Sequence, residues 1–332
     1  MKSVVLPDYN KNVLRAMLSL KITDLEIPEL KDDEVLIKTS ASVCNPSDIA
    51  FIQGVYNIVK PVPAIPGFEG AGEIVKEGKN VSGLIGKKVS AFVQSNSSGT
   101  WSEYFVAKTT DIIVLDNNMP DEQSACFTVN PFTAYGMFEK ARQLQTPAII
   151  QNASGSQVAA FLRKMAEEEG MLMIDIVRKE ETAKTLRDEG AKHVLVESDE
   201  NFDDQLKQIS YQLKPHMAFD AVGGPLSGKI YNALAPHSEM MVYGGLSNKP
   251  MSELNVMGAI FHNKIVSGFN LIDWKSGLKA NEFESISHSL QKKFIDGIYK
   301  TKIDKTVDID NIIKGLKSYL GNMSAGKLLV KP

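Results

Sequence analysis

The chain has 332 residues, of which 43% are hydrophobic and 23% are charged, and its formal net charge at pH 7 is −3. This length and apolar content suffice for two domains with sizeable cores. The slightly acidic balance and the short basic runs argue against a nucleic-acid surface or a polybasic membrane contact. No stretch approaches the ~20 apolar residues of a transmembrane helix. We therefore expect a soluble globular protein with neither nucleic acid nor membrane as a partner.

The N-terminus and the cysteine content point to a compartment. Residues 1–20 include several polar and charged side chains and lack the continuous apolar core of a signal peptide. Two cysteines, Cys44 and Cys126, are too few for a disulfide framework. We expect a cytoplasmic protein.

The first 120 residues are predicted to be rich in β-strands. Apolar and polar residues alternate from Val35 to Val43, which predicts a half-buried strand, and residues 70–75, 88–93 and 100–107 look similar. Between the first two strands, prolines and glycines in residues 43–75 predict a long extended loop. Such loops often carry function.

From Ala125 onward, strands and helices are predicted to alternate. Helices are expected over residues 128–141, 180–189 and 226–235, and strands over residues 193–196, 217–222, 240–243 and 264–269. This alternation predicts a doubly wound parallel sheet. The chain is completed by amphipathic helices over residues 282–298 and 310–320 and by a strand over residues 327–331.

Residues 149–180 are the most informative stretch, because they predict a strand, a turn of small residues, a helix and a second strand. The helix is expected to begin near Ser156 and to end at a left-handed Gly170. Its positive N-terminal end could bind a pyrophosphate, as in dinucleotide-binding βαβ units. The turn has one glycine, Gly155, and Gln157 and Ala159 hold the later glycine places of that fingerprint. An ordinary α/β crossover is therefore the alternative.

The residues after the second strand indicate which dinucleotide would bind. NAD sites usually have a carboxylate there for the ribose 2′-hydroxyl, whereas Arg178 and Lys179 are donors suited to a 2′-phosphate. Glu180 suits the first turn of the next helix. The pattern favours NADPH. Two further glycine pairs, Gly223–Gly224 and Gly244–Gly245, follow later strands and suit either a nicotinamide pocket or tight strand-to-helix turns.

Several short segments also carry a resemblance: CNPSDIAFIQGVY, GFEGAGEIV, GTW, VNPFTAYG, IIQNAS, IVRK, VGG and MVYGG. In order and spacing they resemble the medium-chain dehydrogenase/reductase superfamily, in its zinc-free quinone-reductase-like branch. Within that branch they are most similar to the mitochondrial-type 2-enoyl thioester reductases, which use NADPH. The resemblance covers essentially the whole chain.

The resemblance implies an α/β protein in which a Rossmann doubly wound parallel sheet is inserted into a β-rich GroES-like catalytic domain. The catalytic domain would comprise residues 1–125 and 275–332, and the NADP-binding domain residues 126–274. The active site would lie in the cleft between them. A homodimer is also expected, because the strand over residues 264–269 is apolar and would lie at a sheet edge that can pair with its twin.

Zinc is not expected, although related alcohol dehydrogenases carry it. A catalytic zinc site needs three protein ligands. Only Cys44 matches a ligand position, since Phe68 stands where those enzymes have a histidine and Val129 or a neighbour replaces the last cysteine. The five histidines show no metal-binding spacing. Cys44 is then expected to be a small buried residue.

Without a metal, hydride addition to an activated C=C bond needs an O–H or N–H donor for the developing charge. The resemblance implies that Tyr56 is this donor, because it matches the family's catalytic tyrosine. A phenol with an ordinary pKa of about 10 stays protonated at neutral pH. The alternative is that Tyr56 only packs in the cleft wall. Asn45 and Trp101 are predicted to support Tyr56 or to line the pocket.

The resemblance also implies a set of cofactor contacts: Asn130; Gly155, Ser156, Gln157 and Val158; Arg178, Lys179 and Glu180; Tyr243, Gly244, Gly245 and Leu246; Phe269, Asn270, Leu271 and Ile272; and Lys327. Two of these depart from the family pattern, since Gln157 replaces a glycine and Asn270 stands where the enoyl reductases have a tryptophan. A quinone or a small enone is therefore the alternative substrate. A weakly active NADPH-binding protein is a third interpretation.

Overall fold

The computed structural model describes residues 1–94 and 98–332. The helices are α1 (Val13–Ser19), α2 (Pro46–Gln53), α3 (Asp121–Ser124), α4 (Asn130–Leu144), α5 (Gln157–Glu168), α6 (Glu180–Asp188), α7 (Phe202–Leu213), α8 (Pro225–Ala233), α9 (Val256–His262), α10 (Leu271–Ser276), α11 (Ala280–Ile295) and α12 (Ile312–Gly321). The strands are β1 (Lys2–Val5), β2 (Lys21–Asp24), β3 (Glu34–Cys44), β4 (Glu69–Glu77), β5 (Lys88–Phe92), β6 (Tyr104–Lys108), β7 (Ile112–Val114), β8 (Ala148–Gln151), β9 (Leu172–Val177), β10 (His193–Val196), β11 (Met217–Asp220), β12 (Glu239–Val242), β13 (Ile265–Gly268), β14 (Ile303–Asp308) and β15 (Lys327–Lys331).

The described chain divides into two compact units, one of residues 1–129 with 281–332 and one of residues 130–280. The second unit contains a six-stranded sheet in the order β10-β9-β8-β11-β12-β13, and every neighbouring pair of strands is parallel. This is the doubly wound Rossmann arrangement, so the predicted fold class is confirmed. In this order β13 lies at one edge of the sheet.

The predicted βαβ unit is present as β8, α5 and β9. The apolar stripe of α5 is buried, including Val158, Phe161 and Met165. Ser156 is the N-cap of the helix, because its side chain accepts a hydrogen bond from the N–H of Ala159 at 3.2 Å. Gly170 has φ +69°, as expected for the left-handed residue that follows the helix. The helix therefore begins and ends where its local sequence predicts.

The first unit is built on a seven-stranded sheet in which β3 pairs with β4, β6 and β15. The alternating pattern of β3 predicts a half-buried strand, but this prediction is wrong, because only Lys38 and Ser40 of the strand are exposed. Val43 belongs to one core cluster, and Cys44 belongs to another that includes residues of α1, α2 and α12. A strand in the middle of a covered sheet buries both of its faces.

Two further expectations for the first unit are corrected. The predicted loop over residues 43–75 contains the helix α2, which begins with Pro46 at its first position and is followed by Gly54 in a left-handed conformation, φ +69°. The strand expected over residues 100–107 begins only at Tyr104, because the N–H groups of Thr100 and Trp101 donate to the loop carbonyls of residues 67 and 66. Turn contacts between distant segments override the local strand pattern.

Candidate functional site

The phosphate-binding turn predicted after β8 is held by hydrogen bonds beneath it. The hydroxyl of Ser154 donates to the carbonyl of Gln151 and accepts the N–H of Ile176, both at 3.0 Å. Ala153 has φ +48°, so the chain turns sharply before the capping residue Ser156. The N-terminal end of the 12-residue helix α5 follows, with Gln157 and Val158 in its first turn. Its positive dipole end suits a pyrophosphate.

A second turn, after β11, is organised by the buried carboxylate of Asp220. It accepts the backbone N–H groups of Val222 and Gly223 at 2.8 and 3.0 Å and the side-chain amide of Asn152 at 2.6 Å. Gly223 and Gly224 have φ of +73° and +70°, which non-glycine residues rarely adopt. The turn therefore requires its glycines, and Asn152 connects it to the turn that precedes α5.

A third segment, after β12, approaches the same turn closely. A Cβ at Gly244 would lie 2.8 Å from the carbonyl oxygen of Ala221, so no larger residue fits without a shift of the backbone. The hydroxyl of Tyr243 is buried, which raises its pKa, and the side chain of Ser156 opposes this rise through a hydrogen bond. The amide nitrogen of Asn130 is buried and makes no hydrogen bond within residues 1–94 and 98–332. Buried polar groups normally have partners, so the Asn130 amide suits a polar ligand.

A groove of about 710 Å³ lies in the second unit at the ends of β12 and β13. Tyr243, Phe269 and Asn270 line it, together with residues of α4 and α10. Its size is within the range of small-molecule sites. Trp274, which the sequence analysis did not predict, also lines the groove, and its indole N–H donates to the carboxylate of Glu139 at 2.9 Å.

Asn270 has a local structural role that bears on its predicted contact with the cofactor. Its side-chain oxygen accepts the N–H groups of Ile272 and Asp273 at 2.8 and 3.3 Å, so it is the N-cap of α10. Leu271 and Ile272 form the first turn of that helix. The amide oxygen of Asn270 therefore caps α10. A tryptophan at this position could not do so, because its side chain has no oxygen to accept these N–H groups.

Arg178 and Lys179 are exposed at the end of β9, as the sequence predicts for a 2′-phosphate site. Neither side chain makes an ion pair with a residue in the part of the chain that the structure describes. The carboxylate of Glu180 is instead paired with Arg187 on its own helix at 2.5 Å. Both cations are thus exposed and without an ion pair among the described residues, and their predicted contact with a 2′-phosphate remains a prediction.

Tyr56 follows α2 in the first unit and is partly buried. Its ring lies 5.4 Å from the ring of Phe68, and its hydroxyl oxygen accepts a hydrogen bond from the amide of Gln94 at 3.1 Å. Burial raises the pKa of Tyr56, the charge of Asp48 adds to this rise, and the hydrogen bond from Gln94 opposes it. The phenol therefore stays protonated at neutral pH. Its own proton is not used in any described hydrogen bond and can be donated.

Asn45 and Lys327 belong to a buried polar cluster under the start of α2. The amide of Asn45 donates to the carboxylate of Glu69 at 2.7 Å, and the ammonium of Lys327 donates to the amide oxygen of Asn45. The other carboxylate oxygen of Glu69 accepts the N–H of Val129 at 2.8 Å. Asn45 therefore anchors the helix that leads to Tyr56 and does not touch the phenol in a described hydrogen bond.

The ammonium of Lys327 thus has a partner within the first unit, and its predicted contact with the cofactor remains a prediction. Asp48, which the sequence analysis did not assign, completes the cluster, because one of its carboxylate oxygens accepts the N–H of Asn45 at 2.7 Å. Burial raises its pKa to about 7, although the backbone N–H groups that it accepts lower it. The spacing Asn45-x-x-Asp48 is a capping-box pattern and could have revealed both α2 and this carboxylate.

Trp101 is fully buried in the core cluster against which Tyr56 packs. A Cβ at Gly67 would lie 2.5 Å from the indole ring, so this glycine leaves room for it. The indole N–H makes no hydrogen bond within the described residues. Trp101 therefore supports the wall behind Tyr56 through packing.

Comparisons with known proteins identify the family. The alcohol dehydrogenase GroES-like domain matches residues 31–117, and the zinc-binding dehydrogenase family matches residues 158–288. The mitochondrial enoyl-[acyl-carrier-protein] reductase of Rattus norvegicus is 33% identical over 274 residues, which are 80% of this chain and 72% of that protein. The chain belongs to the medium-chain dehydrogenase/reductase superfamily.

Solved structures of the superfamily agree in fold. A candidate NADPH:quinone reductase from Mesorhizobium loti is 32% identical with a TM-score of 0.94, over 100% of this chain and 98% of that one. The Etr1p/Etr2p heterodimer, a mitochondrial 2-enoyl thioester reductase from Candida tropicalis, is 26% identical with a TM-score of 0.81, over 100% and 99% of the chains. Etr1p has also been solved with NADP and crotonyl-CoA, at 25% identity, a TM-score of 0.80 and the same coverage.

Within residues 1–94 and 98–332, no group of three or more His, Cys, Asp or Glu side chains is arranged to hold a metal ion. Cys44 is buried, and burial raises the pKa of its thiol well above the ordinary value. None of the helices described has the length and apolar character to cross a membrane.

Proposed function

We propose that this oxidoreductase is a zinc-independent, NADPH-dependent reductase of the activated C=C bond of 2-enoyl thioesters. The observation that carries the proposal is the phenol of Tyr56, which is kept protonated by burial and has a proton that no described residue uses. NADPH suits the second unit, where the unpaired amide of Asn130 and the cations of Arg178 and Lys179 offer polar contacts. Enoyl reductases among the relatives support the same chemistry.

In this reaction Tyr56 would donate a proton, and Asn45 and Trp101 would position it. NADPH held by the second unit would supply the hydride for a new C–H bond at the β-carbon of the substrate. The electrons of the C=C bond then move toward the thioester carbonyl and produce an enolate. The O–H of Tyr56 breaks, its proton forms the new C–H bond at the α-carbon, and water reprotonates the phenolate. The buried Asn45 and Trp101 hold the helix and the wall that position Tyr56.

The decisive experiment measures NADPH consumption with crotonyl-CoA and, separately, with a simple quinone. The proposal predicts turnover of crotonyl-CoA with a higher kcat/KM than the quinone. The second candidate function is an NADPH:quinone or small-enone reductase, favoured by the similarity to the Mesorhizobium loti structure. Consumption with the quinone alone would select that function. Consumption with neither substrate, while NADPH still binds, would select a weakly active NADPH-binding protein.

Arg178→Ala is expected to weaken NADPH binding about 10- to 100-fold. A charge-assisted hydrogen bond to the 2′-phosphate contributes about 1.5–3 kcal/mol, and each 1.4 kcal/mol is a factor of ten in affinity. NADH lacks that phosphate, so its affinity should not change. Fluorescence titration with both cofactors measures the two affinities. Arg15→Ala, which removes an exposed arginine of the first unit, is the matched control. Unchanged NADPH affinity in Arg178→Ala would show the assignment to be wrong.

We further propose a homodimer formed through β13. This strand lies at the sheet edge, and its residues Ile265 and Val266 are 48% and 37% exposed, beside Phe261 of α9 at 72%. An exposed apolar edge strand is a template for a second copy. Sedimentation at micromolar concentration should show a dimer, and Ile265→Lys or Phe261→Glu should shift it toward monomer. A wild-type monomer at that concentration would count against the interface.

A further inference from the structure

Lys60 is a buried lysine to which neither the motifs nor the proposed reaction assigns a role. Only 7% of its surface is exposed. Its backbone is anchored by Tyr9, whose hydroxyl accepts the N–H of Lys60 and donates to its carbonyl, both at 2.8 Å. The residue is therefore held firmly in the same segment that carries Tyr56.

The ammonium of Lys60 lies against aromatic rings and not against hydrogen-bond acceptors. Its Nζ is 5.4 Å from the ring centroid of Phe68 and 5.8 Å from that of Phe51. Cation–π attraction stabilises such an ammonium. It leaves the N–H donors unused, however, and within residues 1–94 and 98–332 no acceptor takes a hydrogen bond from them. These N–H donors are therefore available to an oxygen that the chain itself does not provide.

The side chains of Lys60 and Tyr56 both pack against the ring of Phe68. The negative charge nearby is Asp48, which opposes the effect of burial on the pKa of Lys60. The carboxylate oxygens of Asp48 accept the backbone N–H groups of Asn45 and Phe68 at 2.7 and 2.9 Å, so they are already occupied. One O–H donor and one N–H donor are thus carried by side chains that pack on the same phenyl ring.

We propose that Lys60 binds the substrate oxygen on which negative charge develops during hydride transfer, beside the proton donor Tyr56. This inference rests on the proposed function and names the group that recognises the acceptor oxygen. With an enoyl thioester, that oxygen is the carbonyl oxygen of the enolate, which accepts an N–H of Lys60 until Tyr56 protonates the α-carbon. With a quinone, it is the oxygen of the hydroquinone anion, which takes its second proton from water. Donors aimed at developing charge lower the barrier more than the same donors in water.

The charge of Lys60 sets a pH limit on this role. Burial lowers the pKa of Lys60 from its ordinary 10.5 to about 8. The ammonium is thus present below pH 8 and is lost as the pH rises through that value. The charged group that acts on it is Asp48, whose pKa is raised to about 7. Tyr56, whose pKa is raised by burial, packs on the same ring, and the hydroxyl of Tyr9 bonds the backbone of Lys60. Asp48 ionises below pH 8 and Tyr56 above it. The decline in activity expected near pH 8 is therefore due to deprotonation of Lys60.

Lys60→Met tests the proposal because it keeps an unbranched apolar side chain against the rings and removes the charge. We expect kcat/KM at pH 7 to fall about 10- to 100-fold with crotonyl-CoA and with a quinone. Lys60→Arg keeps the charge, so it should retain more activity than Lys60→Met and should lose the decline in kcat/KM near pH 8. Lys88→Met is the matched control in the same unit, because the ammonium of Lys88 is paired with Asp121. Its kcat/KM should equal that of the wild type.

The outcomes separate this inference from the proposed function. If crotonyl-CoA is not reduced but the quinone is, the proposed function fails, and a 10- to 100-fold loss for Lys60→Met on the quinone still supports the role of Lys60. If a folded Lys60→Met enzyme keeps wild-type kcat/KM on every substrate that the wild type reduces, the role of Lys60 is overturned. Should Lys60→Met not fold, the pH profile of Lys60→Arg decides: an alkaline limb identical to that of the wild type overturns the inference.

Discussion

Tyr56→Phe is expected to lower kcat for an enoyl thioester by at least about 100-fold, because a positioned acid contributes ~100- to 10,000-fold. The substitution removes only the hydroxyl and keeps the ring on Phe68. The proton is used after hydride transfer has begun, so KM should change far less than kcat. NADPH affinity should be unchanged. Steady-state kinetics with crotonyl-CoA, together with a direct NADPH titration, measures all three quantities.

A quinone provides the internal control for this prediction. Its own electron affinity drives reduction, and water can protonate the product, so loss of the Tyr56 hydroxyl should matter little. Tyr211→Phe removes a hydroxyl from a tyrosine that is exposed on α7 and should leave both activities intact. If Tyr56→Phe lowers kcat equally and only slightly with both substrates, Tyr56 has a packing role and is not the proton donor. A large loss confined to the enoyl thioester would support proton donation.

Lys327→Met is expected to lower the free energy of unfolding by about 3–5 kcal/mol, the usual effect of removing one partner from a buried charged cluster. The ammonium of Lys327 is buried, donates to Asn45, and lowers the pKa of Glu69, which burial otherwise raises. Without it, the amide oxygen of Asn45 loses its donor and the carboxylate of Glu69 loses its nearby positive charge. Urea denaturation at neutral pH, followed by far-UV circular dichroism, measures the change.

Two variants make the Lys327 result interpretable. Lys331→Met lies on the same strand, but its ammonium is exposed and 3.9 Å from Glu122, so its loss should cost less than about 0.5 kcal/mol. Combining Lys327→Met with Glu69→Gln removes both charges and should recover part of the loss, since a buried pair can be replaced with little net cost. If Lys327→Met and Lys331→Met destabilise the protein equally, the cluster does not contribute as described.

Much of the second unit could be predicted from the sequence because its signals are local. The stripe of α5 repeats within one helix, and its limits at Ser156 and Gly170 follow from capping and left-handed preferences of single residues. The alternation of strands and helices then leaves few topologies, since parallel strands need crossover helices of consistent hand. The pair Arg178 and Lys179 is exposed at the end of β9, as its position in the βαβ unit requires.

The first unit could be predicted less well, because its decisive contacts join residues far apart in the chain. Proline and glycine spacing predicted a loop where α2 forms. The capping pair Asn45 and Asp48 indicates the start of this helix, but the prolines that follow favoured a loop. Alternation in β3 could not reveal that both faces are covered, since the covering residues lie in other segments.

The sequence by itself thus determined the parallel sheet and the capped helix α5, both of which depend on neighbours within a few positions. Only the tertiary structure decided what surrounds Tyr56. Asn45 meets Glu69 across 24 positions and Lys327 across 282 positions, and the ammonium of Lys60 meets the ring of Phe68 through folding alone. Burial sets the charge state of these groups, and burial depends on the packing of the whole unit, which no local pattern contains.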